Sequence, residues 1–225
     1  MSAYRGRRKR KFGYRKKSYR RNAEDKRIAR IAKAVTSKAK ELKYYDTIIT
    51  NNTPVSGTSL VSILDDMAQG DTESTRDGNY IIIKSINVKG YVYDQGAGPR
   101  DTICRMILIR EKVDCEGNLP LVGDLLDTDA IPSLRYWPNM GNFQVWWDKT
   151  FVIRASDDYV TDQIQHSRLV KYYKKAKKPI RAYYDGVGPG VGTCKRGHFF
   201  LITMTDQVAG NRPNWDLKVR ITFTE

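Results

Sequence analysis

The net positive charge of this chain sits entirely in its first fifth. Residues 1–43 hold 18 Lys/Arg against 3 Asp/Glu, which accounts for the whole formal charge of +15; residues 44–225 hold 22 of each sign. Within that first fifth, residues 1–21 cannot bury enough apolar surface to offset the entropy of ordering them. The chain therefore divides into a basic arm and a neutral body, and a polyanion is the partner such an arm suits.

Residues 1–21 carry Arg5, Arg7, Arg8, Lys9, Arg10, Lys11, Arg15, Lys16, Lys17, Arg20 and Arg21 and no acid. Tyr4, Phe12, Tyr14 and Tyr19 interleave with them. The cations suit phosphates, with counterion release and steep salt dependence, and the rings can stack on unpaired bases. The arm is expected to be disordered when free and to bind nucleic acid. Arg7-Arg8-Lys9-Arg10-Lys11 also reads as a nuclear localisation signal, which would engage an import receptor.

Residues 22–43 read as a basic amphipathic helix. Asn22 is placed to cap it, Glu24 and Asp25 favour its first turn, and Ile28, Ile31, Val35 and Leu42 fall on one face with Ala32 and Ala39. Lys38, Lys40 and Lys43 suit its C-terminal end. The apolar stripe is thin, so the helix is expected to form against a partner.

From Tyr44 onward the pattern is β. Eight strands are expected, at 43–51, 58–64, 79–93, 101–113, 143–154, 166–175, 196–206 and 214–224. The last alternates without a break: Trp215, Leu217, Val219, Ile221 and Phe223 against Asp216, Lys218, Arg220, Thr222 and Thr224. Phe143, Val145, Trp147, Phe151 and Ile153 are expected to share one face, Lys149 being the exception. The strand at 101–113 is apolar on both faces, which predicts an interior or doubly covered position. In 79–93 the apolar parity switches from Ile81 and Ile83 to Ile86 and Val88, which predicts a bulge near Lys84–Ser85 or burial of both faces. Short strands joined by the long connections 114–142 and 182–195 suit a two-sheet sandwich with rim loops.

A second basic cluster, Lys171, Lys174, Lys175, Lys177, Lys178 and Arg181, lies on or just beyond a strand near Tyr172, Tyr173 and Tyr183. Two readings fit it: an extension of the phosphate-binding surface, or a basic sheet edge that blocks edge-to-edge pairing. The glycines at 186, 188, 190 and 192 match no phosphate-loop spacing, and Pro189 removes an amide donor, so a flexible inter-strand loop is expected.

Catalysis and metal binding find little support. His166 and His198 are the only histidines, no H-x-H or H-E-x-x-H occurs, and no nucleophile elbow is present. Asp65, Asp66, Asp157, Asp158 and Asp162 lack calcium-loop spacing and are expected to be solvated loop acids. Cys104, Cys115 and Cys194 form no paired motif and are expected to be small core residues in a reducing compartment. No apolar run reaches the roughly 20 residues of a membrane span, and no apolar leader opens the chain. No cofactor is expected.

Several stretches resemble the capsid proteins of small circular single-stranded DNA viruses that encode a replication initiator (the CRESS-DNA group). Tyr44-Tyr45-Asp46 closes the arm. Arg76-Asp77-Gly78-Asn79, followed by Ile81, Ile83-Lys84-Ser85-Ile86 and Val88-Lys89-Gly90, is similar to the family's R-x-G…I-x-I-K-S-I…G strand. Arg105 begins an R-x-x-L-I strand, and Phe143 to Phe151 resembles F-x-V-x-x-D-K-x-F.

The resemblance implies an all-β single jelly roll of two four-stranded antiparallel sheets over residues 44–225, with the arm at 1–21 and the helix at 22–43. It implies a structural, non-enzymatic role: self-assembly of about sixty copies into an icosahedral shell around a single-stranded genome, in the virion and, before it, the host nucleus. Sixty such arms would carry about 900 net charges, roughly the phosphates of a genome of one to two kilobases. Related shells occur in small RNA satellite viruses. A non-assembling β-barrel that binds nucleic acid through a basic tail is the competing class; it predicts a basic or aromatic face on the body itself and no assembly.

Overall fold

The computed structural model describes residues 23–39, 41–50, 58–93, 101–113, 120–154, 167–186, 194–207 and 213–225. The arm 1–21 lies outside them, as do His166, Asp157, Asp158, Asp162 and Cys115. The chain forms two units, residues 1–40 and 41–225.

In the first unit, helix α1 spans Ala23–Ala39 and opens with Glu24 and Asp25, whose charges suit the positive end of the helix dipole. Ile28, Ile31 and Val35 are exposed along it. Leu42, placed on this helix by its spacing, lies beyond it, and Lys43 begins the first strand.

The second unit is a jelly roll. Its strands are β1 (Lys43–Ile49), β2 (Thr58–Ser62), β3 (Tyr80–Tyr93), β4 (Thr102–Glu111), β5 (Phe143–Ile153), β6 (Ser167–Tyr184), β7 (Cys194–Arg196), β8 (Phe199–Thr205) and β9 (Asn214–Thr224). One sheet has the order β1-β9-β3-β6-β7 and the other β2-β8-β4-β5. The antiparallel pairs β1·β9, β2·β8, β3·β6 and β4·β5 are nested, so the chain is one long hairpin rolled into two sheets. All eight expected strands are present. The count differs because the short β7 adds a fifth member to the first sheet, pairing only with Tyr183 and Tyr184 of β6. The strand expected to end at 175 runs on through the lysine cluster and Pro179 to Tyr184. An edge strand tolerates that proline, because its missing amide faces no neighbour.

The main core lies between the sheets. It takes Trp215, Leu217, Val219, Ile221 and Phe223 from β9, and Ile81, Ile83, Ile86 and Val88 from β3. The parity switch in β3 is a bulge: the register of β3 against both neighbours shifts between Ile83 and Ser85, which returns the apolar residues to the core face. Gly90 pairs with Leu217 where β3 runs close beside β9, and an added Cβ would collide with the backbone of Asp216 and Leu217.

A second, smaller core covers the outer side of the four-stranded sheet. Ile107 and Ile109 of β4 and Ile202 and Met204 of β8 pack there against Leu125 and Leu126. This is why β4 is apolar on both faces. Phe143 and Val145 belong to this second core, whereas Trp146, Trp147, Phe151 and Ile153 face the main one. The expected single face of β5 is therefore broken. A register shift between Leu108 and Ile109 leaves Trp146 as an extra residue and turns the strand over.

Candidate nucleic-acid interface

The two outer faces of the sandwich differ in chemistry. On that of the four-stranded sheet, Ile107, Ile109, Ile202 and Met204 are covered by Leu125 and Leu126, while Asp148, Thr150 and Val152 are exposed. Its Arg105 is held by Asp148 (Nε–Oδ1 2.9 Å, Nη2–Oδ2 2.8 Å) and donates to the carbonyls of Ile131 and Ser133 at 2.7 Å.

The outer face of the five-stranded sheet is polar and basic. Strand alternation sends Lys218 and Arg220 of β9, Lys89 of β3, and Lys171, Lys175 and Arg181 of β6 outward. Only Asp46 and Asp216 oppose these six cations on the described strands. Register aligns three of them: Lys89 pairs with Lys218 on one side and with Lys171 on the other. In the next row Arg220 lies opposite Asn87, which lies opposite Tyr173. Tyr173 is 65% exposed, and Tyr91 stands on the same face.

Asp46 takes most of the local counter-charge duty. Arg220 donates to both of its oxygens at 2.7 Å and stands over the Tyr44 ring at 4.5 Å, while Lys218 reaches it at 2.8 Å. The hydrogen bonds from Arg220, with help from Lys218, hold the Asp46 carboxyl below its usual range. Lys89, Lys171 and Lys175 enter no ion pair among the described residues.

The expected second cluster is thereby divided. Lys171 and Lys175 point outward. Lys177 and Lys178 are exposed in a bulge of β6, between the pairs Lys175–Ser85 and Ile180–Ile83. Lys174 turns to the inner side, where its ammonium lies over the Trp146 ring at 4.7 Å and donates to the Trp146 carbonyl at 3.4 Å. The cluster also lies along an edge, since β6 pairs with β7 only at its end. Only the β9-β3-β6 register brings Lys89 and Lys218 beside Lys171; no spacing in the sequence links the three.

Arg76 of the R-x-G stretch is fully buried, with its guanidinium over the Tyr184 ring at 4.4 Å. It donates to the carbonyls of Gly78 (2.7 Å) and Gly186. It anchors the turn that leads into β3 and is not available to a ligand.

Asp65, expected to be a solvated loop acid, is 3% exposed, while its neighbour Asp66 is exposed. It faces His198 Nδ1 at 3.4 Å, and His198 Nε2 lies 2.7 Å from Ser62 Oγ. The connectivity matches a Ser-His-Asp triad. But His198 is only 2% exposed, and the amide of Ile63, next to Ser62, donates to the Phe199 carbonyl and so offers no oxyanion site. Burial pushes the His198 pKa down to about 4, against the opposing pull of Asp65. The trio ties the end of β2 to the turn before β8. Cys104 and Cys194 are buried core residues, as expected, and burial pushes the Cys194 thiol up. Among the described residues no cluster of His, Cys, Asp and Glu could hold a metal, and no helix is long and apolar enough to cross a membrane.

No family model and no curated protein matches the chain. A solved structure titled Desmodium yellow mottle tymovirus is similar at a TM-score of 0.35 and 11% identity, over 83% of this chain and 88% of that one. A likeness at that score carries no argument here; the jelly roll rests on the strand order itself.

Proposed function

We propose that the chain is a viral capsid protein. Its jelly-roll bodies would assemble into a small icosahedral shell of about sixty copies, and residues 1–21 would condense a single-stranded genome inside it. The observation that carries this reading is the pairing of a jelly roll of zero net charge with an arm that holds the whole charge excess. Circular single-stranded DNA is the cargo that the strand motifs favour through their resemblance, and Arg7 to Lys11 would serve nuclear import before assembly. The role is structural, not enzymatic.

One observation favours a second reading, a nucleic-acid-binding module that does not assemble: the body does carry a basic, tyrosine-bearing face. Assembly separates the two. Deleting residues 1–21 tests the arm. The truncated protein is expected to fold, and its shells to hold far less nucleic acid. Full nucleic-acid content in truncated shells would contradict the arm's role.

A further inference from the structure

We infer that the outer face of the five-stranded sheet binds the phosphate backbone of single-stranded nucleic acid, along the Lys218–Lys89–Lys171 row with Tyr173 as a stacking platform. In a shell, this sheet then faces the genome and the four-stranded sheet faces away. The inference rests on the packaging reading above only for the source of the polyanion.

Three observations carry it. First, like charges directly opposite one another destabilise a sheet, yet register sets three lysines side by side across β9, β3 and β6. Asp46 engages Lys218 from the β1 side, and Lys89 and Lys171 enter no ion pair among the described residues. A bound polyanion relieves that repulsion. Second, exposed tyrosines border the row: Tyr173 on one side, and Tyr91 on the other between Asp216 and Leu169. Cations interleaved with open aromatic rings suit unpaired bases, whereas a duplex would leave the rings unused. Third, the opposite face has no such lysine row: Ile107, Ile109, Ile202 and Met204 pack there under Leu125 and Leu126, and its Arg105 is already engaged by Asp148. The body's zero net charge conceals this separation, because only Asp46 and Asp216 among the acids of the described strands share this face.

The test uses the full-length protein assembled with poly(dT), irradiated with ultraviolet light and mapped by peptide mass spectrometry. Crosslinks are expected on Tyr173 and Tyr91 as well as on the arm. Well-formed shells whose crosslinks stop at the arm would overturn the face and leave the shell reading standing. Crosslinks at Tyr173 without any shell would uphold the face and sink the shell reading. Masking of the face by a second copy, with no crosslink there, would overturn it in favour of a subunit contact.

A second measurement uses the variant Lys89→Gln/Lys171→Gln/Lys218→Gln. Its melting temperature is expected to equal or exceed that of the parent, since repulsion is removed. The slope of log affinity for poly(dT) against log salt should become shallower by about 2, at roughly 0.7 per phosphate contact. An unchanged slope in a folded variant would refute the inference.

Discussion

Arg105 and Asp148 meet as a two-pronged ion pair across β4 and β5, and the same guanidinium holds the carbonyls of Ile131 and Ser133. One side chain thus joins two strands to the connection that roofs the second core. Asp148 raises the already high pKa of Arg105, so the cation persists at any pH the fold survives.

Arg105→Ala would leave Asp148 and two carbonyls without their donor. Breaking a buried pair costs about 3–5 kcal/mol, and the 25% exposure of Asp148 screens part of that, so about 2–3 kcal/mol is expected. Limited proteolysis should show residues 126–136 opening before the rest of the body. A double-mutant cycle with Asp148→Ala should recover much of the loss as coupling. Independent, additive losses would contradict the described geometry.

Gly90→Ala tests the close approach of β3 to β9. The new methyl would strike the backbone of Asp216 and Leu217, which belongs to a central strand and cannot move aside cheaply. A loss of at least about 3 kcal/mol is expected in denaturant unfolding, near the upper end for single substitutions. Gly78→Ala is the control, since nothing lies within 4 Å of its added Cβ. Equal effects would show that β3 and β9 do not approach as described.

His198 makes stability depend on acid. Its pKa is pushed down to about 4 by burial, whereas an unfolded histidine titrates near 6.5. Between those values the unfolded chain binds the extra proton, so stability rises with pH across that window. Its contribution is complete above about pH 6.5 and is lost as pH falls through about 4, a swing of roughly 3 kcal/mol. Melting temperatures of the parent and of His198→Gln, measured from pH 7 to pH 4, should converge as the pH drops. Parallel curves would contradict the assignment.

How much of this was legible depended on whether a signal was local. Trp215 to Thr224 alternates strictly and forms the strand it predicts. Lys84–Ser85 announced its bulge through a change of parity that two apolar pairs made visible. Trp146 did not: a second tryptophan follows it directly, so the alternation looked intact while the strand turned over. Lys177, Lys178 and Pro179 lack the apolar residues that mark a strand, because they stand in a bulge without partners on β3, and the pairs on either side of it carry the strand through. The basic face was half legible. Lys171 and Lys175 stood in one cluster, but Lys89 and Lys218 join them only through register across 129 positions of sequence, from 89 to 218. Ser62 and His198 meet across 136 positions, which no spacing motif encodes.

Closed-shell assembly is the property that most sharply separates a capsid protein from a binding module. Electron microscopy of the purified full-length protein with single-stranded DNA, at near-physiological salt, tests it most directly. Uniform round shells are the predicted result. Dispersed small particles that bind the DNA without closing into shells would contradict it, and would leave a nucleic-acid-binding module with a basic sheet face.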